Sequence, residues 1–432
     1  MLNYNQTIKN ERIKQNMTQQ FLAKGICSTS YLSKIEKEHV IPRKHIQDAL
    51  LQRLNVDVTM LKISQEIHFL KELHTAYQQV IFINSIEHAQ IAWNHFNEFN
   101  IEFTKLEDFY LCNLYLQRIA IIAQQPVLES DEFLDAFASI LDNLVPEQQF
   151  IYFVNCSHYF LLNKNHEKSV AYLKKAQLLL FENKDAFEPW QIGDFYLLSS
   201  AVYHSIFQYS IAIAQANNAV EMFKKLAIPT PIISSYIQLG ITNNRAGFNE
   251  QAKIAFEKAY NYAIQSDKKE FYGRILHNLG NTSSLLGQSK EAIQHYKNCL
   301  NYRKAFYSHL NTIHSIVKEY SKLNQKAQIK KWCHDALMKI EEHADQSQLK
   351  GFYYHFRIYQ MIHEIEELNN DFIVEAIDYF LHHNDYLHLQ KYTYVIAEVY
   401  MKQGDFQHAT KYFKCSSEIG FKIQSRKHWQ DL

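Results

Sequence analysis

Residues 236–259 read YIQLGITNNRAGFNEQAKIAFEKA, and their spacing decides the fold. Tyr236, Leu239, Gly240 and Asn243 form one set; Ala252, Phe256 and Ala259 form a second. Intervals of three and four place each set on one face of an α-helix. Gly247, eleven residues after Tyr236, interrupts the pattern where a turn is needed. The stretch is a helical hairpin.

The hairpin repeats. The same offsets, counted from Phe153, Tyr196, Leu276 and Thr393, return equivalent residues, with the last position slipping by one in the Leu276 copy. Gly287 and Gly404 again fall eleven residues in. The starts at 153, 196, 236 and 276 are 43, 40 and 40 apart. Small residues such as Gly240 and Gly280 allow the first helix to approach the second. The residue sixteen further on, Phe256 or Tyr296, is expected to fill the hollow between neighbouring hairpins. Residues 70–150 and 305–390 keep helical periodicity but only degenerate copies. The pattern is similar to that of tetratricopeptide repeats, although that family's period is 34. The resemblance implies a right-handed α-solenoid.

Composition agrees. Only 10 Gly and 6 Pro occur in 432 residues, too few for the tight turns of sheets and barrels. At 47% hydrophobic and 21% charged, the chain can bury a core, and it exceeds a typical single domain. Six dispersed Cys with no CxxC point neither to a disulfide framework nor to a zinc ribbon. The polar start MLNYNQTIKNERIKQN is not a signal peptide, and no apolar run reaches about 18 residues, so a cytoplasmic protein without membrane contact is expected.

Lys plus Arg and Asp plus Glu are both 45, but the balance hides a segregation. Residues 1–66 hold 10 basic and 6 acidic residues, a surplus of +4, which leaves −4 on the remainder. This basic segment reads as four or five short helices. Ile8 marks the first, Thr18 caps the second with Phe21 and Leu22 inward, and Leu32 and Ile35 face inward from the third. Pro42 breaks the chain before Ile46, Leu50, Leu51 and Leu54. Expected boundaries are 1–66 for this domain, 67–75 for a linker helix and 76–432 for the repeats.

Within the basic segment, MTQQFLAKGICSTSYLSKIEKEHVIP at 17–42 resembles the Xre/Cro-type helix-turn-helix. Thr18 and Gln19 open its second helix, and Leu32-Ser33-Lys34-Ile35-Glu36 carries the third. The resemblance implies a recognition helix for the major groove of double-stranded DNA. Lys34 and Gln19 would meet phosphates, and Ser28, Thr29, Ser30 and Tyr31 would reach base edges. Glu36 would pair within the module. Gly25 comes early and Cys27 occupies the turn, a shorter turn than usual for the family.

The tetratricopeptide resemblance also assigns a concave face. Offsets −2, +1, +5 and +8 from each hairpin's first residue lie on it, and they include Asp194 and His204. Further along they include Ile237, Ile241 and Asn244, then Arg274, His277 and Asn281, and finally Lys391 and Tyr394. Asn244 and Asn281 can each bond a peptide N–H and C=O, Arg274 or Lys391 a carboxylate, and Ile237, Ile241 and Tyr394 apolar side chains. An extended oligopeptide suits this set.

A short-turn helix-turn-helix followed by such repeats resembles the RRNPP family of peptide-sensing quorum regulators, most closely its NprR-type branch. The resemblance implies a transcriptional regulator that binds a pseudo-palindromic DNA site as a homodimer or higher oligomer. A short signalling peptide would control it. The branch also admits a second role, docking a response-regulator protein of the sporulation phosphorelay. A general helical-repeat scaffold is the other alternative. Catalysis finds no support: the 22 His include no HExxH, and no glycine-rich phosphate loop occurs. His382-His383 with Asp385 and His388 reads as a solvated face. No enzyme activity, cofactor or metal is expected.

Overall fold

The computed structural model describes residues 4–98, 103–125, 134, 137–343 and 347–423, with backbone alone at 58–61 and 347. All regular structure among them is helical. The chain divides into two compact units, Met1–Leu226 and Ala227–Leu432.

Unit 1 opens with four short helices: α1 (Tyr4–Lys14), α2 (Gln19–Ala23), α3 (Thr29–Glu36) and α4 (Lys44–Arg53). Ile8, Leu22, Ala23, Leu32, Ile35, Leu50, Leu51 and Leu54 form their shared core. The Thr18 and Ser28 hydroxyls cap α2 and α3 by accepting the Phe21 and Tyr31 amides at 3.1 Å each. Phe21, expected inward, is 60% exposed: the five-residue α2 turns Leu22 and Ala23 to the core instead.

Hairpins follow: α5 (Val58–Ile83) with α6 (Ile86–Phe96), then α7 (Leu106–Ala123), α8 (Pro146–Leu162) with α9 (His166–Glu182), and α10 (Pro189–Ser205) with α11 (Tyr209–Lys225). Helix α5 runs unbroken through the expected linker at 67–75. Its Phe69, Leu73 and Tyr77 are already buried against the repeats, Phe69 edge-on to Phe96 of α6. Repeat packing therefore begins inside that stretch.

Unit 2 continues the series with α12 (Pro229–Arg245), α13 (Asn249–Gln265), α14 (Tyr272–Leu285), α15 (Ser289–Leu300), α16 (Phe306–Lys322) and α17 (Lys326–Glu341). It ends with α18 (Lys350–Ile362), α19 (Asn370–His382), α20 (Tyr386–Lys402) and α21 (Phe406–Ile423). Phe256 lies over Gly240 of its own hairpin. A Cβ at Gly240 would stand 2.6 Å from the Phe256 ring, and one at Gly280 2.6 Å from Tyr296. These rings fill the space within a hairpin, not between hairpins as the spacing suggested, because the missing Cβ opens a slot directly beneath them.

One backbone feature recurs along the described hairpins. The residue ending each first helix is left-handed: Asn84, Gln124, Lys164 and Phe207 in unit 1, and Gly247, Gly287, Asn324, Glu364 and Gly404 in unit 2. Their numbers advance by 40, 40, 43, 40, 40, 37, 40 and 40. The period thus runs through 70–150 and 305–390, where the side-chain pattern had faded. Glycine takes this conformation without strain, but other residues adopt it singly, polar ones in most of these turns and Phe207 in one. Glycine therefore marks only three of the nine turns. Pro146, Pro189 and Pro229, each at the first position of a first helix, repeat the period independently.

No helix among the described residues is long and apolar enough to cross a membrane. All six cysteines are free thiols.

Candidate functional site

The head module presents α3. Ser28, Thr29 and Ser30 are exposed and Tyr31 is half-buried at the first turn of α3, and Lys34 is exposed in its last turn. Behind it, Arg12 grips Glu36 through two bonds, Nε to Oε1 at 2.6 Å and Nη2 to Oε2 at 2.8 Å. Gln19 Nε2 donates to the same carboxylate at 2.7 Å. Burial alone would raise the Glu36 carboxyl; the bonds from Arg12 and Gln19 outweigh it and hold the group below its usual range. Glu36 is thus the internal tie between α1, α2 and α3. Gln19, expected at phosphate, spends its amide N–H on that tie. Arg53 adds another brace by donating to the Leu22 and Lys24 carbonyls.

In unit 2, the expected ligand residues divide. Asn244 Nδ2 donates to Thr282 Oγ1 at 2.8 Å, from α12 to α14, and its buried Oδ1 has no hydrogen-bond partner. Arg274 and Asn281 on α14 are exposed, and Ile241 is half-buried. His277 packs on Tyr296, with Nδ1 3.4 Å from Thr312 Oγ1. Burial and the nearby Arg303 push its imidazole down to about 4, so it is neutral. Ile237 must be withdrawn from the ligand set. It is 0% exposed, because its helix face packs into the unit's interior. Lys391 and Tyr394 stand on α20. Lys391 donates to the Tyr359 hydroxyl at 2.7 Å, and its ammonium is pushed down to about 8, first by desolvation and then by Lys318 and Lys322. Tyr394 is 49% exposed and meets Phe413 of α21 edge-on. His204 belongs to unit 1, half-buried against Tyr209.

The sequence reading placed Asp194 on the concave face but missed the rest of a buried polar wall in unit 1. Arg118 of α7 pairs with Asp194 of α10 at 2.8 Å, with 3% and 12% of their side chains exposed. Asn155 of α8 donates to the Leu114 carbonyl at 2.9 Å and to Gln117 Oε1 at 3.0 Å. Arg118 Nε and Nη1, Gln117 Nε2, Asn155 Oδ1 and His158 Nδ1 are buried without hydrogen-bond partners. Burial pushes the Asp194 carboxyl up and Arg118 pulls it down, with burial prevailing. A signal existed: Arg118 and His158 are 40 residues apart and hold the concave +5 position when the register is carried backwards.

The structure therefore defines a helix-turn-helix head followed by repeated helical hairpins, with polar groups waiting on the hairpins' first helices. Comparison with known proteins gives the same partition. The helix-turn-helix family matches residues 8–61, and the tetratricopeptide repeat family matches residues 231–305. The chain is 26% identical over 407 residues to the transcriptional activator NprA of Geobacillus stearothermophilus, covering 92% of this chain and 98% of that one. Among solved structures it is similar to the apo form of RapI, with a TM-score of 0.68, 16% identity, and coverage of 84% of this chain and 99% of that one. It is also similar to the apo form of the quorum sensor NprR from B. thuringiensis, with a TM-score of 0.63, 18% identity, and coverage of 84% and 99%. The fold is similar to that of these two solved structures.

Proposed function

We propose that this chain is a peptide-controlled, DNA-binding transcriptional regulator of the RRNPP kind, in its NprR-type branch. The observation that carries the reading is a braced head with an accessible α3, attached to hairpins whose first helices hold buried polar atoms without partners. Such atoms are costly unless something bonds them. In unit 1 a peptide N–H can donate to Asn155 Oδ1 and a carboxylate suits the open Arg118 Nε and Nη1, and in unit 2 a peptide N–H can donate to Asn244 Oδ1. The name of the Geobacillus relative supports activation as the sense of control.

A head with a surplus of only +4 binds DNA weakly alone, so two copies on a pseudo-palindromic site supply the affinity. The peptide shifts that binding only by its differential affinity for two arrangements of the chain. Selection of genomic DNA fragments by the full chain, with and without candidate peptides, tests the reading. Specific enrichment that changes with peptide is expected, and no enrichment in either state would end it. Lys34→Ala should weaken binding on all fragments and reduce the salt slope by about one charge. An unchanged slope would remove Lys34 from the interface.

A further inference from the structure

The linear sequence points to His382, His383 and His388 as neighbours, but the fold separates them. The side chains of His382 and His383 bond back to the carbonyls of Asp378 and Tyr379, one turn earlier on α19. His388 instead joins His314 of α16 and His355 of α18. Ring centroids are 4.4 Å apart for His314 and His355, 4.6 Å for His355 and His388, and 5.6 Å for His314 and His388. One nitrogen from each ring lies within 4.8 Å of the others.

We propose that His314, His355 and His388 form a binding site for a single transition-metal ion of the zinc class, clamping the first helices of three successive hairpins. Three imidazoles are the donor set of open zinc sites, and imidazole suits zinc, nickel and copper over calcium or magnesium. The outer contacts fit as well. Asp385 holds His388 Nδ1 at 2.9 Å, the carboxylate–histidine arrangement that fixes a ligand ring and directs Nε2 to the metal. The Tyr392 hydroxyl holds His355 Nδ1 at 2.7 Å and does the same for that ring.

Zinc–nitrogen bonds of about 2.0–2.1 Å need the nitrogens roughly 3.4 Å apart, so the rings must close by up to about 1.4 Å. His388, with 37% of its side chain exposed, can supply its share of that movement, and the nearly parallel His314 and His355 rings must tilt to supply the rest. The same exposure gives the ion a way in and leaves room for a water as fourth ligand. Lys391, over the Tyr359 and Tyr392 rings, opposes the added charge, and Asp385 offsets it.

The test uses the full chain, free of any affinity tag and stripped with chelator. It is titrated with Zn2+ by calorimetry and with Co2+ by visible absorption. One Zn2+ per chain and a tetrahedral Co2+ spectrum are expected. Asp385→Asn should weaken affinity by about 10–100-fold, as loss of an outer carboxylate does elsewhere. His388→Gln, at the half-exposed position, should weaken it further while leaving the helical circular dichroism intact. His382→Gln and His383→Gln should change nothing. His314→Phe keeps a ring in the stack and should also abolish the cobalt spectrum. No ion bound, or equal binding by His388→Gln and the native chain, would overturn the site and leave a stack of rings closed by the His355–Tyr392 bond. Either result is independent of whether the chain binds peptide or DNA.

Discussion

The Arg118 wall of unit 1 and the His314 wall of unit 2 stand on the same kind of helix, the first of a hairpin, yet they hold opposite chemistry. The first buries an ion pair with spare donors and acceptors around it. The second stacks imidazole rings, two of which bond to the Tyr392 hydroxyl. The hairpin fixes where a side chain points but leaves its identity free.

The comparison breaks most readily at Arg118. Removing one partner of a buried pair strands a charge and typically lowers stability by about 3–5 kcal/mol. Arg118→Ala and Asp194→Ala should each fall in that range by denaturant unfolding. The double variant Arg118→Met with Asp194→Leu should recover much of the loss while blunting the peptide response. A single-variant loss under about 1 kcal/mol would mean that water already reaches the pair. Unit 1 would then have no buried charged wall.

A second test separates the scaffold from what it carries. Gly240→Ala forces a Cβ to 2.6 Å from the Phe256 ring and should lower stability by about 1–3 kcal/mol through overpacking. Gly247→Ala has nothing within 4 Å, and its φ of +83° makes the loss one of backbone strain, about 1–2 kcal/mol. Phe256→Leu should relieve the first variant and leave the second unchanged. Equal behaviour would show that the ring does not seat on the glycine.

The fate of these glycines also explains how much the sequence could tell. The hairpins at 236 and 276 were legible because glycine served both the close approach and the turn. Asn324 and Glu364 make the same turn with ordinary residues, so their hairpins were invisible to a glycine count. Thr18, Ser28 and the Leu32–Glu36 run marked the head because caps and core act over short distances. The Arg118–Asp194 pair and the three-histidine cluster span 76 and 74 positions, and only the folded chain brings them together. Ile237 failed for a related reason: a concave register gives direction but not depth.

Acid should act on both units with the same sign. His158 in unit 1 is held well below its usual range, mainly by burial and then by Arg118; His277 in unit 2 is held at about 4. Between pH 6.5 and 4 the unfolded chain binds protons at these positions that the folded chain does not. Stability therefore falls as pH falls through that window. His158→Gln and His277→Gln should each flatten the slope, measured by unfolding at several pH values. Buried His314 and His355 are held low as well, so some slope remains in each variant; a slope wholly unchanged in both would place the titrating groups there instead.

The smallest effects sharpen the comparison inside unit 2. Asn244 is tied to Thr282 and has a buried free oxygen, whereas Asn281 is exposed on α14. Asn244→Ala loses a bond but also removes the unpartnered acceptor, so the two consequences oppose each other. A net loss of about 1 kcal/mol or less is expected. Asn281→Ala should stay within about 0.5 kcal/mol of the native chain, as exposed substitutions do. If both asparagines contact the peptide, both variants weaken peptide binding in calorimetry despite these small changes. If only Asn244→Ala weakens it, recognition depends on buried atoms that lack partners, and unit 2 uses the same principle as the Arg118 wall.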